Sequence, residues 1–275
     1  MLDLLQTNKF SYLSDDELIF FSKIDLIKSV ISEIKEKNKK CVLIVGNGDL
    51  PFTNEIESLI PQNVLKIFAQ NNLTNSNRVE SLPLGIGNSD PCKKSGHGEN
   101  WEDVKEKVIL LNNITNKENK DFKIYCNFRD YTFPEHRSTV KSFAKNLEYI
   151  DIDESDLNYK NFIEKILDSS CNICPAGNGL DTHRLWETLY CNRIPITFRV
   201  KKTRSYEWVD NGQIGIYDNL YTKLPIIILK NENELKDKDL IIKKFHLVKN
   251  NWENIHLLDF NFWKNKINKI INNLT

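Results

Sequence analysis

The sequence has no excess of charge of either sign. Its 38 lysines and arginines balance 38 aspartates and glutamates, so the formal net charge is zero. Because a nucleic-acid-binding surface usually carries a basic excess, this balance argues against a nucleic acid as partner. A small basic pocket for an anion remains compatible with it.

The sequence also lacks long apolar runs, and none approaches the roughly 20 residues that span a bilayer. Asp3, Asp15, Asp16 and Glu17 occupy the first segment, where a secretory signal would place basic residues before an apolar core. We therefore expect a cytoplasmic protein whose contact with a membrane is at most peripheral.

The six cysteines lack the spacing of a metal site. Cys171 and Cys174 form a Cys-x-x-Cys pair, but no second cysteine or histidine pair follows at zinc spacing. The pair lies on a predicted strand, whereas a thioredoxin-like pair would open a helix. We expect reduced, buried thiols and neither a redox nor a metal site. Residues 45–49, Val-Gly-Asn-Gly-Asp, likewise lack the third glycine of a dinucleotide-binding fingerprint.

The chain does contain apolar strands that alternate with helices. Strands are predicted within residues 39–51, 63–72, 78–88, 107–113, 121–128, 171–175, 194–198 and 224–230. Helices are predicted over 15–37, 134–147, 158–170, 182–192 and along the tail 233–275, with a loop over 89–104. Since most of these strands are apolar throughout, the pattern predicts an α/β protein with parallel sheets.

A second series of alternating strands and helices begins near residues 115–121. This predicts two Rossmann-like lobes, 1–118 and 119–275, that face a central cleft. In such sheets ligands bind at the carboxyl ends of the strands. The loops that follow the strands are therefore the candidate binding regions: 46–49, 69–72, 85–88, 127–130 and 175–181.

Residues 174–198, CPAGNGLDTHRLWETLYCNRIPITF, hold the densest group of functional side chains. Gly177, Asn178 and Gly179 can expose backbone N–H groups just before a helix, which makes a ready anion site. Asp181 is placed to cap that helix. This stretch therefore predicts the binding of an anion.

A helical projection divides residues 182–192 into two faces. One face is predicted to be buried: Leu185, Trp186, Leu189 and Tyr190. Arg184 and Glu187 are predicted to point outward on the same side, a forked cation for a diphosphate and an acceptor for two ribose hydroxyl groups. The plainer interpretation is a surface ion pair between them at i, i+3.

Read together, several segments resemble exostosin-like glycosyltransferases, which have the GT-B fold. The specific match is 174–196, with a proline-glycine loop, Asp-x-x-Arg, a bulky residue and a glutamate on a helix, then an Ile-Pro strand. Weaker matches are KIFAQNN with VESLPLGIGN, IYCNFRDYTFPEHR and DNLYTKLPIII, so that the blocks extend over about residues 41 to 230. Arg193 stands where a glycine usually precedes the Ile-Pro pair.

The resemblance implies a hexosyl- or pentosyltransferase of glycan biosynthesis, inverting, metal-independent and without a cofactor. The C-terminal lobe would bind the nucleotide-sugar donor, and a minimal N-terminal lobe would bind a glycan or glycoconjugate acceptor. The last helix often returns to the N-terminal lobe in this fold. The candidate donor-binding residues are Pro175, Gly177, Asn178, Gly179, Asp181, His183, Arg184, Glu187, Arg137, Arg129 and Asn127.

Catalytic roles follow from the same resemblance. Arg184 and Arg137, with Arg129 as the third candidate, would stabilise the departing diphosphate. Asp49, which ends the first glycine turn at a strand end facing the predicted cleft, would be the general base, with Asp90 as the alternative. Gln70 and Asn71 would bind acceptor hydroxyl groups. Each assignment has a plainer alternative: a turn residue for Asp49, turn closure for Gln70 and Asn71, and a salt bridge for Arg137.

Two other functions are weighed against this one. Asp-Ile-Asp at 151–153 matches the Mn²⁺-binding motif of the other main glycosyltransferase fold, but it lies in an acidic run that favours a solvated surface. A non-catalytic nucleotide- or sugar-binding protein with a degenerate transferase fold would keep Arg184 and Glu187 and tolerate the loss of Asp49. Trp252 and Trp263 of the tail could contact a membrane, although sealing a helical layer explains them better.

Overall fold

The structure is a computed structural model that describes residues 2–89, 101–115, 121–154, 157–209, 212 and 214–274, with only the backbone for 101–103. Asp90 and Cys92 lie outside the described residues. The chain forms two compact units. Unit 1 contains 1–104, 209–221 and 256–275, and unit 2 contains 105–208 and 222–255. The division at 118/119 into acceptor and donor lobes stays a prediction.

All strand pairings within the two sheets are parallel. The strands are β1 Ile19–Ser22, β2 Cys41–Val45, β3 Val64–Ala69, β4 Val79–Ser81, β5 Ile124–Cys126, β6 Ile150–Ile152, β7 Cys171–Ile173, β8 Ile194–Phe198 and β9 Ile227–Leu229. One sheet has the order β1-β2-β3-β4, and the other has the order β6-β5-β7-β8-β9. The predicted α/β class with two parallel sheets is confirmed.

The helices alternate with these strands. They are α1 Thr7–Tyr12, α2 Ile27–Lys37, α3 Asn54–Leu59, α4 Trp101–Asn112, α5 Pro134–Ala144, α6 Tyr159–Leu167, α7 His183–Tyr190, α8 Gly215–Asn219, α9 Lys238–Val248 and α10 Phe260–Asn272. Short 3₁₀ segments add Asp130–Thr132, Glu232–Lys236 and Lys249–Leu258, among others. None of the helices described here is long and apolar enough to cross a membrane.

Unit 1 is built around the fully buried strand β2. Its core combines β2 and β3 with the apolar side of α2, where Ile27, Ile31 and Ile34 are buried. In α10 the indole of Trp263 is buried and donates to the carbonyl of Leu257. Trp252 packs against the core of unit 2. Both tryptophans are thus held by packing inside their own unit.

Unit 2 is a doubly wound sheet with helices on both faces. Alternate residues of its strands, such as Ile124, Ile173 and Ile196, share one core with Val140 of α5 and Ile241 of α9. On the opposite face Tyr125 contacts Phe162 of α6, and Asn172 donates to Thr188 of α7. β5, β7 and β8 are covered on both faces, so all their residues are buried, including the polar Asn172 of β7 and Thr197 of β8.

Two predicted elements are wrong. The predicted helix over 15–37 is an α-helix only from Ile27, after a 3₁₀ turn at Ile24–Leu26, because Ile19–Ser22 pairs beside β2 as an additional parallel strand. The predicted strand over 107–113 is the end of α4, which also shortens the predicted loop 89–104. In both places a short apolar run fits either period, so tertiary packing decides the structure.

Candidate functional site at the strand-order reversal of unit 2

The strand order of unit 2 reverses between β5 and β7. The chain leaves β5 toward β6 on one side, and after β7 it continues to β8 and β9 on the other side. In open α/β sheets such a reversal opens a crevice at the carboxyl ends of the two strands, where ligands bind. The loops at this position are 127–133, which leads into α5, and 174–182, which leads into α7.

Arg137, in the first turns of α5, links these two loops. Its Nε donates to the Ala176 carbonyl at 2.9 Å and its Nη2 to the Pro175 carbonyl at 3.2 Å, both in the second loop. Its Nη1 donates to the Arg129 carbonyl at 2.9 Å in the first loop. The guanidinium therefore fixes the distance between the two loops.

Arg137 is also a buried positive charge. Its exposed fraction is 9%, and no carboxylate forms an ion pair with it within the described part of the chain. Burial, followed by the positive charge of Arg184, lowers the pKa of Arg137 to about 10. The predicted alternative of a salt bridge to Glu135 is wrong, because Glu135 pairs with Lys202. A bound anion would supply the missing negative charge.

Gly177 is required by the closeness of this arginine. A Cβ at this position would lie 2.7 Å from Nη2 of Arg137. On its other side the Gly177 carbonyl accepts a hydrogen bond of 3.2 Å from the backbone N–H of Arg204. The glycine thus lets two arginine-bearing segments approach the same loop.

Positive charge is concentrated around this loop although the chain as a whole is neutral. Among the residues that the structure describes, Arg129 and Arg204 form no ion pair, and neither does Arg137. Asp130, the acidic residue directly after Arg129 in the sequence, is paired with Lys141 at 2.8 Å. Arg129 and Arg204 are exposed to solvent, so among the described arginines of this loop region the buried Arg137 gives the stronger indication of an anionic ligand.

The glycine loop itself is only partly available to a ligand. The N–H of Gly177 donates to the carbonyl of Gly179 at 3.0 Å, so it is used inside the loop. The N–H groups of Asn178 and Gly179 have no acceptor in the ranges described above. The side-chain Oδ1 of Asn178 is buried and also lacks a hydrogen-bond partner there. Two backbone N–H donors are thus left for an anionic ligand, whereas the buried amide oxygen of Asn178 is an acceptor and adds nothing to anion binding.

Asp181 is not the cap of α7, contrary to the prediction. Thr182 holds the N-cap position, and its side chain makes no capping bond. Both carboxylate oxygens of Asp181 instead accept from the indole N–H of Trp186, at 2.9 and 3.0 Å, and Oδ1 also accepts from the Thr182 N–H. The negative charge is therefore directed at interior donors next to the loop.

Arg184 is half-buried, and part of its guanidinium group is used in contacts within the protein. Its guanidinium stacks over the ring of Phe162 at 3.8 Å and donates to the Asn127 carbonyl and, at 3.3 Å, to the Asn127 side-chain oxygen. Its Nε lies 3.6 Å from Glu187, so the plainer i, i+3 pair is present. Its Nη2 has no hydrogen-bond partner among the described residues.

Glu187 does not point outward as predicted. Its side chain is buried, with an exposed fraction of 3%, and its Oε1 lies 3.3 Å from the Lys107 ammonium group. Burial raises the pKa of Glu187, but the positive charges of Lys107 and Arg184 outweigh this effect and hold it below the ordinary value. Tyr190, predicted to be buried, is half-buried, while Thr188 is buried instead.

The remaining candidates of unit 1 divide into one exposed and two buried residues. Asp49 is exposed in the turn that follows β2. Gln70 donates to Thr7 and to the Pro83 carbonyl and accepts from the Asn47 N–H, and Asn71 donates to the Gly48 carbonyl. Gln70 and Asn71 thus connect the loops of unit 1, as the plainer alternative expected.

The candidate His183 belongs to unit 2 and is half-buried at the start of α7.

Five of the cysteines are buried free thiols: Cys41, Cys126, Cys171, Cys174 and Cys191. Burial raises the pKa of Cys171 and of Cys174, so neither thiol is an activated nucleophile. Within the described ranges, no group of three or more histidine, cysteine, aspartate or glutamate side chains is placed to hold a metal ion.

Three residues of the site had no role predicted from the sequence. Lys107 lies on a segment predicted to be a strand, so its pairing with Glu187 was not foreseen. Arg204 belongs to a basic run, KKTR, that gave the only sequence signal. Tyr131 sits inside the segment that matches IYCNFRDYTFPEHR but had no assigned role.

Comparison with known proteins does not identify a family for this chain. No protein-family profile matches the chain, and no curated protein is significantly similar to it in sequence. The functional argument therefore depends on the geometry of unit 2 and on the resemblance of short motifs.

Proposed function

We propose that this protein is a glycosyltransferase with a GT-B-like arrangement of two Rossmann-like units. It transfers a sugar from a nucleotide-sugar donor to a hydroxyl group of a glycan or glycoconjugate. Unit 2 binds the donor at the reversal between β5 and β7, and unit 1 carries the residues for the acceptor. The two parallel sheets and the motif resemblance support this assignment.

The observation that carries the proposal is the buried guanidinium of Arg137. A desolvated cation with no carboxylate partner in the described chain is costly unless an anion binds beside it. Within the described ranges, the N–H groups of Asn178 and Gly179, on the loop that Arg137 binds, have no acceptor, and Nη2 of Arg184 has no hydrogen-bond partner. A diphosphate, with two charged groups and many acceptor oxygens, matches these donors.

The proposed reaction is an inverting displacement. A carboxylate base removes the proton of the acceptor hydroxyl, the acceptor oxygen bonds to the anomeric carbon, and the bond from that carbon to the diphosphate oxygen breaks. Negative charge then grows on the leaving diphosphate. Preorganised cations and N–H donors stabilise that charge most in the transition state, which is the role assigned to Arg137 and Arg184.

A donor panel tests the assignment directly. The unfolding temperature of the protein is expected to rise with at least one of the UDP- and GDP-sugars, and calorimetry should give a dissociation constant for it. Arg184→Ala should weaken that binding by at least about tenfold, because a charge-assisted hydrogen bond contributes about 1.5–3 kcal/mol. Unchanged affinity in Arg184→Ala would remove this residue from the donor site.

The general base is tested separately. Asp49→Asn is expected to lower the rate of transfer by about 10²–10⁴-fold while donor affinity is retained, since the base acts on the acceptor. Asp25→Asn, another exposed aspartate of unit 1, is the control and should transfer at the normal rate. Full turnover of Asp49→Asn would place the base elsewhere. A protein that binds donor but transfers and hydrolyses nothing would instead be the non-catalytic binding protein.

A further inference from the structure

Tyr131 is an exposed aromatic residue whose position is fixed at two points. Its exposed fraction is 60%, so most of its ring packs against nothing within the described chain. Its hydroxyl accepts a hydrogen bond of 3.0 Å from Nη1 of Arg129. Its backbone carbonyl accepts one of 2.9 Å from Nη1 of Arg204. Two hydrogen bonds thus connect this exposed tyrosine to neighbouring arginine residues.

The turn that carries Tyr131 lies beside the proposed diphosphate site. The hydroxyl of its neighbour Thr132 lies 3.6 Å from the Cβ position of Gly177. The Arg129 carbonyl binds Arg137, and the Arg204 backbone binds the Gly177 carbonyl. The same two arginine residues that bind Tyr131 therefore also bind the loops of the anion site.

We propose that Tyr131 is the stacking platform for the nucleobase of the donor. This inference rests on the proposed function and extends it, because it separates a nucleoside diphosphate from a bare phosphate ligand. The ring offers a π-face that accepts any base, and the adjacent guanidinium groups of Arg129 and Arg204 are placed to contact the attached phosphates or the base edge.

The chemistry explains why the ring is left uncovered. A tyrosine used for folding would bury its ring and leave the hydroxyl at the surface. Here the ring is solvated and the hydroxyl is hydrogen-bonded to Arg129, which restricts the ring before the ligand arrives. Preorganisation of this kind lowers the entropy that binding must overcome.

The test compares UDP and GDP with inorganic pyrophosphate by calorimetry. Tyr131→Ala should weaken the binding of the preferred nucleoside diphosphate by at least about fivefold, as base–aromatic stacking predicts. Its affinity for pyrophosphate should stay within about twofold of the unchanged protein. Tyr131→Phe keeps the ring and should retain most of the nucleotide affinity. Tyr12→Ala removes a tyrosine of unit 1 with an exposed fraction of 45% and serves as the control.

Each outcome is decisive. Equal nucleotide affinity in Tyr131→Ala and the unchanged protein would overturn the platform and leave the donor site standing. A parallel loss of nucleotide and pyrophosphate binding in Tyr131→Ala would make the residue a support of the loops and not a platform. If the unchanged protein binds none of the three ligands, the proposed function fails together with this inference.

Discussion

Arg137→Met is expected to abolish measurable binding of nucleoside diphosphates while most of the fold survives. The substitution keeps the length of the side chain but removes the buried positive charge and three hydrogen bonds to backbone carbonyls. Buried carbonyls left without donors cost about 1–3 kcal/mol each, partly offset because a desolvated charge is removed. We therefore expect a loss of about 2–4 kcal/mol of unfolding free energy, together with at least about a hundredfold loss of affinity.

Arg193 provides the matched control for this variant. It too is a buried arginine that donates to backbone carbonyls, those of Leu167 and Asn192. It lies directly before β8, at the amino end of that strand, whereas the proposed site lies at the carboxyl ends of the strands. Arg193→Met should cost a similar amount of stability in urea unfolding and leave nucleotide affinity intact. If both variants lose binding to the same degree, the loss reports general destabilisation and Arg137 has no direct role.

Glu187→Gln is expected to give the second large effect, on stability. The carboxylate is buried between Lys107 and Arg184, and the amide would leave both cations without their counter-charge. Removing one partner of a buried ion pair costs about 3–5 kcal/mol. Glu164→Gln, on the exposed side of α6, is the control and should unfold as the unchanged protein does. A loss below about 0.5 kcal/mol in Glu187→Gln would show that this cluster contributes little.

The same carboxylate predicts how stability changes with pH. Because the pKa of Glu187 is lower in the folded protein than in the unfolded chain, its contribution is fully present above the unfolded pKa of about 4.3. It is lost as the pH falls through the folded value. The unfolding free energy of the unchanged protein should therefore fall more between pH 6 and pH 3 than that of Glu187→Gln. Equal slopes would contradict the assignment.

The alternation of strands and helices in this fold could be predicted from the sequence because most buried parallel strands are apolar runs. β2 is apolar at every position and β8 at all but Thr197, and Pro134 in the first turn of α5 indicates where that helix begins. β1 and the end of α4 could not be predicted. In each, a short apolar run suits a helix and a strand equally, and only the neighbouring strand or helix decides between them.

The candidate site was predictable as a region but not as a set of contacts. The glycine loop and the arginine of α7 point to an anion from sequence alone. The burial of Glu187 depends on Lys107, which is 80 residues away and reaches it only in the folded chain. Asp181 accepts from a side chain five positions later, the buried indole of Trp186, and Thr182 holds the N-cap position of α7 in its place. Long-range pairings of this kind leave no local pattern.

The route of the chain through its two units has a practical consequence. Unit 1 is assembled from three separate stretches of sequence and unit 2 from two. Neither unit can be excised for cloning as one uninterrupted segment, and a cut at residue 118 would strip α10 from the sheet that it covers. Phe10, which stacks edge-on against Phe260 at 5.1 Å, would then lose its aromatic partner to a different fragment.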